Sequence, residues 1–154
     1  MNSFTIFLFI HSWLRWVVLI LAILVIFKSV SGWLGKKSFT SSDKRFSVLL
    51  IAFTHTQFLV GLILYFFLSP FGVNLFKQGM GAVMKDSYSR FWAVEHISMM
   101  FLGVVFIQLG RSLSKKAKVD WRKHQKLAIF TIIGLLLILS RIPWGEAARM
   151  FRTF

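Results

Sequence analysis

The chain has 154 residues, no cysteine, 56% hydrophobic and 17% aromatic residues, and a formal net charge of +14. Without cysteine there is no disulfide exchange, thiolate zinc site, iron–sulfur cluster or covalent c-type heme attachment. A mean hydropathy of +0.70 at single-domain length is that of a membrane protein, and the basic residues fall mostly between apolar runs, which sets topology rather than a nucleic-acid surface.

Taken in order, the first apolar run predicts a span over about 4–33, with Lys28 placed to snorkel at its inner end. Nothing before Ile6 is charged and Arg15 interrupts the run, so no cleavable signal peptide is expected. A second span over about 46–69 stops at Pro70. Residues 70–90 form the longest connection, apolar enough at Phe71, Leu75, Phe76 and Val83 to lie on a membrane surface. A third span covers about 90–109. A basic loop from Arg111 to Lys126 follows, then a fourth span over about 127–144 that leaves at Pro143-Trp144, and a short tail.

The expected fold class is therefore all-α, a single integral-membrane domain over 1–154 built as an up-down four-helix bundle. The loops after the first and third spans hold four and seven Lys/Arg, against five on the other side, at Lys77, Lys85, Arg90, Arg149 and Arg152. Basic loops stay cytoplasmic, so both termini are expected on the non-cytoplasmic side, with the first and third helices diagonal.

Three histidines fall inside spans. Helix rise puts His11 roughly 10 Å and His96 roughly 9 Å from the outer end of their helices, level with each other. Level imidazoles on diagonal helices meet the height condition for a bis-histidine heme b. His55, in Thr54-His55-Thr56-Gln57, lies roughly 20 Å deep, off that level. It is a candidate for a second heme, for pairing with one of the others, or for a quinone head group. His124 sits beside Lys123 and Lys126, where a solvated loop histidine is expected. One heme is the expected count, and the unequal depths argue against a three-histidine metal site. Met99 and Met100 follow His96 as weaker ligand candidates, expected to pack.

Arg15 lies one turn below His11 on the same face, too deep to snorkel, and calls for Glu95, a heme propionate or a quinone carbonyl as partner. Arg141 is placed to reach either a propionate or a glutamate. Glu95 and Arg15 are the candidates for proton or charge chemistry, with Glu95 or His55 able to accept a quinol proton. The six tryptophans fit interfacial anchoring, and Gly61, Gly103 and Gly134 fit close helix approach.

His11-Ser-Trp-Leu-Arg15-Trp16, Gly61-Leu-Ile-Leu-Tyr65, Glu95-His96-Ile97-Ser98-Met99-Met100 and Ile142-Pro143-Trp144 together resemble a group of small bacterial membrane proteins labelled cytochrome b-like. The resemblance implies a four-helix b-heme protein of the bacterial inner membrane, its termini periplasmic. It carries over His11, His55 and His96 as candidate ligands. It lacks the two diagonal histidine pairs of two-heme transmembrane cytochromes. The functional expectation is heme-mediated electron exchange with quinone, a periplasmic redox protein or a respiratory complex, with no nucleic-acid partner. The alternative is a heme-free quinone- or lipid-binding protein, or an accessory subunit of a membrane complex. A homo-oligomer is compatible with either.

Overall fold

The computed structural model describes residues 2–152; Met1, Thr153 and Phe154, the ends of the expected 1–154 domain, lie outside the described residues. Four helices are long and apolar enough to cross a membrane. Helix α1, Ser3–Leu34, is capped by Asn2, whose side chain accepts the Thr5 N–H at 3.0 Å. Its 32 residues span about 48 Å, more than a hydrocarbon core of roughly 30 Å.

Helix α2, Ser41–Ile63, starts five residues before the Phe46 expected from hydropathy. A capping box fixes that start. Asp43 accepts the Thr40 N–H at 2.9 Å, and Thr40 accepts the Asp43 N–H at 3.3 Å. Asp43 also pairs with Lys28 at 3.2 Å, locking the end of α1 to the start of α2. Lys28 therefore has a carboxylate partner rather than only head groups. The helix continues as a π turn, Leu64–Leu68, and ends before Pro70.

The connection is more ordered than a plain surface loop. It holds a 3₁₀ turn, Val73–Gln78, and short helices α3, Met80–Lys85, and α4, Ser87–Arg90. Asp86 caps α4, accepting the Ser89 N–H at 2.7 Å. Hydrogen bonding from the Ser89 side chain and backbone holds the Asp86 carboxyl below its ordinary pKa. A second π turn, Phe91–Glu95, leads into α5, His96–Lys116. Helix α6 runs Asp120–Ser140, and α7, Ala147–Met150, lies in the tail. Helix α6 thus begins earlier and ends earlier than the expected 127–144. Asp120 supplies the acid in its first turn and accepts the Phe39 N–H at 3.0 Å, holding this end against the first loop.

The long helices form a ring in which α1 touches α2 and α6, α5 touches α6, and α2 leans more lightly on α5. Helices α1 and α5 are the diagonal pair. Val25, Leu50, Ile107 and Leu127 fill the middle, while Phe27 and Phe67 remain 74% and 78% exposed, an outward face suited to hydrocarbon rather than water. Gly103 of α5 and Gly134 of α6 set the closest helix crossing: a Cβ on Gly134 would lie 2.8 Å from the Gly103 carbonyl oxygen.

Candidate functional site

His11 comes from the N-terminal third of α1 and His96 from the first residue of α5, so the diagonal helices present them to each other. Their ring centroids are 6.5 Å apart with planes at 63°. A direct N–H···N bond, with N···N of about 3.0 Å and about 1.1 Å from each nitrogen to its ring centre, would bring the centroids to roughly 5 Å. A metal ion held by two bonds of about 2.0 Å gives roughly 6 Å for a linear arrangement. The observed centroid spacing is wider than a direct hydrogen bond and close to that of two rings bridged by one atom, a metal ion or a water molecule.

His96 Nδ1 lies 2.7 Å from the Arg141 carbonyl oxygen, which can only accept, so Nδ1 carries a proton, and in the neutral ring Nε2 keeps its lone pair. His11 Nδ1 is buried with no hydrogen-bond partner. Gln57 donates to the His11 carbonyl at 2.9 Å, tying α2 to this turn of α1. Gly61 lets α2 approach: a Cβ there would stand 3.1 Å from His11 Cε1. The Tyr65 hydroxyl donates to the Ala93 carbonyl at 2.8 Å, linking one π turn to the other. That bond steadies the segment that delivers His96, and π turns are frequent at functional sites.

Both histidines line a cavity of about 130 Å³ between the four helices. That is about ten times what one water molecule needs, in a bundle otherwise closely packed. Its walls are mostly apolar, with Leu8, Phe58 and Met100 among them. Met100 thus faces the site, whereas Met99 is not among the lining residues.

The tail re-enters the bundle at one end of the cavity. Arg15 Nη2 donates to the carbonyls of Arg149 and Met150 at 2.8 and 3.0 Å, and Trp16 Nε1 donates to Met150 at 2.9 Å. Trp13 Nε1 reaches the Arg152 carbonyl at 3.0 Å, and Phe151 stacks on Trp16 at 5.1 Å. Irregular backbone within an apolar bundle needs such donors. Arg15 is only 8% exposed, and no carboxylate among the described residues pairs with it. The expected Arg15–Glu95 tie does not form. Glu95 pairs instead with Arg90 at 2.8 Å and Arg141 at 3.1 Å, because the π turn swings it toward the ends of α4 and α6.

The other histidines stay apart. His55 donates from Nδ1 to the Ile51 carbonyl of its own helix at 2.8 Å and is not among the residues lining the cavity. His124, expected in a solvated loop, is 2% exposed because α6 already includes it. Its ring packs on Phe39 at 4.9 Å and against Gly32, where a Cβ would meet it at 2.5 Å. Among the described residues no group of three or more His, Cys, Asp or Glu is placed to hold a metal ion.

Sequence reasoning missed Arg149, Gln57, Thr54 and Tyr65, all of which line the cavity. Arg149 lies over Trp92 at 4.3 Å and pairs with Glu146. Nothing in the tail's composition marks it as re-entrant, but the i, i+3, i+7, i+11 spacing of Thr54, Gln57, Gly61 and Tyr65 puts them on one helix face. No family model, curated protein or solved structure matches the chain.

Proposed function

We propose that the protein is a multi-pass membrane cytochrome holding one heme b between His11 and His96 and exchanging electrons with quinone or a periplasmic redox partner. The observation that carries this reading is the 6.5 Å spacing of the two rings across a cavity, too wide for a direct hydrogen bond and suited to a bridging metal. The donor set fits as well. His96 has a fixed tautomer with Nε2 free, and His11 has a buried nitrogen without a partner. Arg15, which no carboxylate among the described residues pairs with, and Arg149 near it would offer charge to the propionates.

Heme b would supply a one-electron couple. The chain's residues would hold it, exclude water with the tail and the α1 tryptophans Trp13 and Trp16 that hold the tail in place, and tune its potential through the buried guanidinium. The Lys/Arg distribution supports an inner-membrane orientation with both termini periplasmic.

The alternative, a heme-free quinone- or lipid-binding protein, draws on the same gap, since one water also fits between the rings. The two readings separate on pigment. Protein purified from heme-sufficient cells is expected to show a b-type reduced spectrum and, by pyridine hemochrome, about one heme per chain. Colourless protein from such cells would overturn the cytochrome reading.

A further inference from the structure

Two buried polar atoms on residues that line the cavity have no role in binding heme. Thr54 is 3% exposed, and its hydroxyl has no partner. A helical threonine ordinarily satisfies itself on the carbonyl four residues back, as Thr56 does on Ala52 at 2.9 Å. Thr54 does not. One turn on, Gln57 spends its amide N–H on His11 and leaves Oε1 buried without a partner. The faces of a heme carry no hydrogen-bonding group, so the macrocycle would satisfy neither atom. An unpartnered donor beside an unpartnered acceptor suits a head group that accepts in one redox state and donates in the other.

An apolar groove adjoins the cavity on one side. Phe58, Leu62 and Ile97 line the cavity and, together with Ser98 and Phe101, line this groove on the outer face between α2 and α5. This is the lightly packed seam of the bundle, and only 11% of the most apolar stretch of the α2 span is buried, against 39% for α1. The rings of Phe58 and Phe101 face each other across it at 6.1 Å. Phe58, Leu62 and Ile97 thus separate the polar pocket from an apolar groove on the lipid-suited face, and their side chains are what an apolar tail would have to pass.

We propose that Thr54 and Gln57 bind the head group of an isoprenoid quinone, whose tail leaves through the α2–α5 groove into the bilayer. The Thr54 hydroxyl donates to a quinone carbonyl, and Gln57 Oε1 accepts from the quinol hydroxyl. The choice of a quinone over another amphiphile rests on the cytochrome reading; the site itself does not.

The test uses the full-length protein in mild detergent. Quinone in its organic extract is quantified, and a short-chain menaquinone analogue is titrated against tryptophan fluorescence. Heme is assayed on the same samples. Thr54→Val keeps the shape and removes the donor, and is expected to weaken analogue binding about tenfold, the effect of one buried hydrogen bond. Ser98→Trp, at an exposed position, is expected to block the groove and remove the co-purified quinone, with melting unchanged. Heme content is expected to stay at the wild-type level in both variants. A colourless protein that still binds the analogue through Thr54 would support this site and sink the cytochrome reading. Extracts holding only phospholipid, or equal analogue binding in the wild type and both variants, would overturn the site.

Discussion

His11→Ala and His96→Ala are each expected to take heme from about one per chain to near zero, while His55→Ala and His124→Ala retain it. The contrast is specific because the four histidines have different surroundings. His11 and His96 share the cavity, and neither can be replaced by a neighbour: His55 bonds its own helix, and His124 is wedged between Gly32 and Phe39 at the far end of α6. His124→Ala removes a side chain only 2% exposed, so it is expected to lower the melting temperature while leaving the spectrum intact. Imidazole added to His96→Ala is expected to restore part of the low-spin spectrum, since truncation opens the position that the ring occupied. Heme loss in His55→Ala with retention in His96→Ala would reverse the ligand assignment.

A large stability effect is expected at the α5–α6 crossing. A Cβ on Gly134 would stand 2.7 Å from Ile107 Cγ1 and 2.8 Å from the Gly103 carbonyl oxygen, and one on Gly103 would stand 2.6 Å from Ile138 Cγ1. The carbonyl is backbone and cannot rotate away, so the helices must separate. Gly134→Ala is expected to cost about 1–3 kcal/mol, as overpacking of a close contact does, and Gly134→Leu more. Because both glycines serve one crossing, the double alanine variant is expected to cost less than the sum of the singles. Thermal unfolding in detergent measures this. Gly81, where a Cβ would meet nothing, is the control, and equal melting of Gly134→Leu and Gly81→Leu would show that the crossing is not tight.

The spans were legible because hydropathy over some twenty residues overrides local detail, and the diagonal placement of α1 and α5 because short loops leave few ways to close a ring. The meeting of His11 with His96 follows from the same arithmetic, 1.5 Å of rise per residue from equivalent ends. Other features depend on single contacts that leave little trace in composition. The π turn at Phe91–Glu95 rotates Glu95 away from Arg15, and no residue in Phe-Trp-Ala-Val-Glu marks it. The burial of His124 depends on where α6 starts, and Asp120 was the available sign, an acid at a helix N-terminus just before the basic run. Arg15 donates to tail carbonyls rather than to the expected Glu95, and a backbone acceptor has no sequence signature.

The account stands on His11 and His96 being the two axial ligands of one iron. Near-infrared magnetic circular dichroism of the ferric, heme-loaded protein reads axial ligation directly. A single low-spin species with the charge-transfer band of bis-imidazole coordination, lost on replacing either histidine, is the expected result. A histidine–methionine band, a five-coordinate high-spin species, or a bis-imidazole band that survives His11→Ala would contradict it.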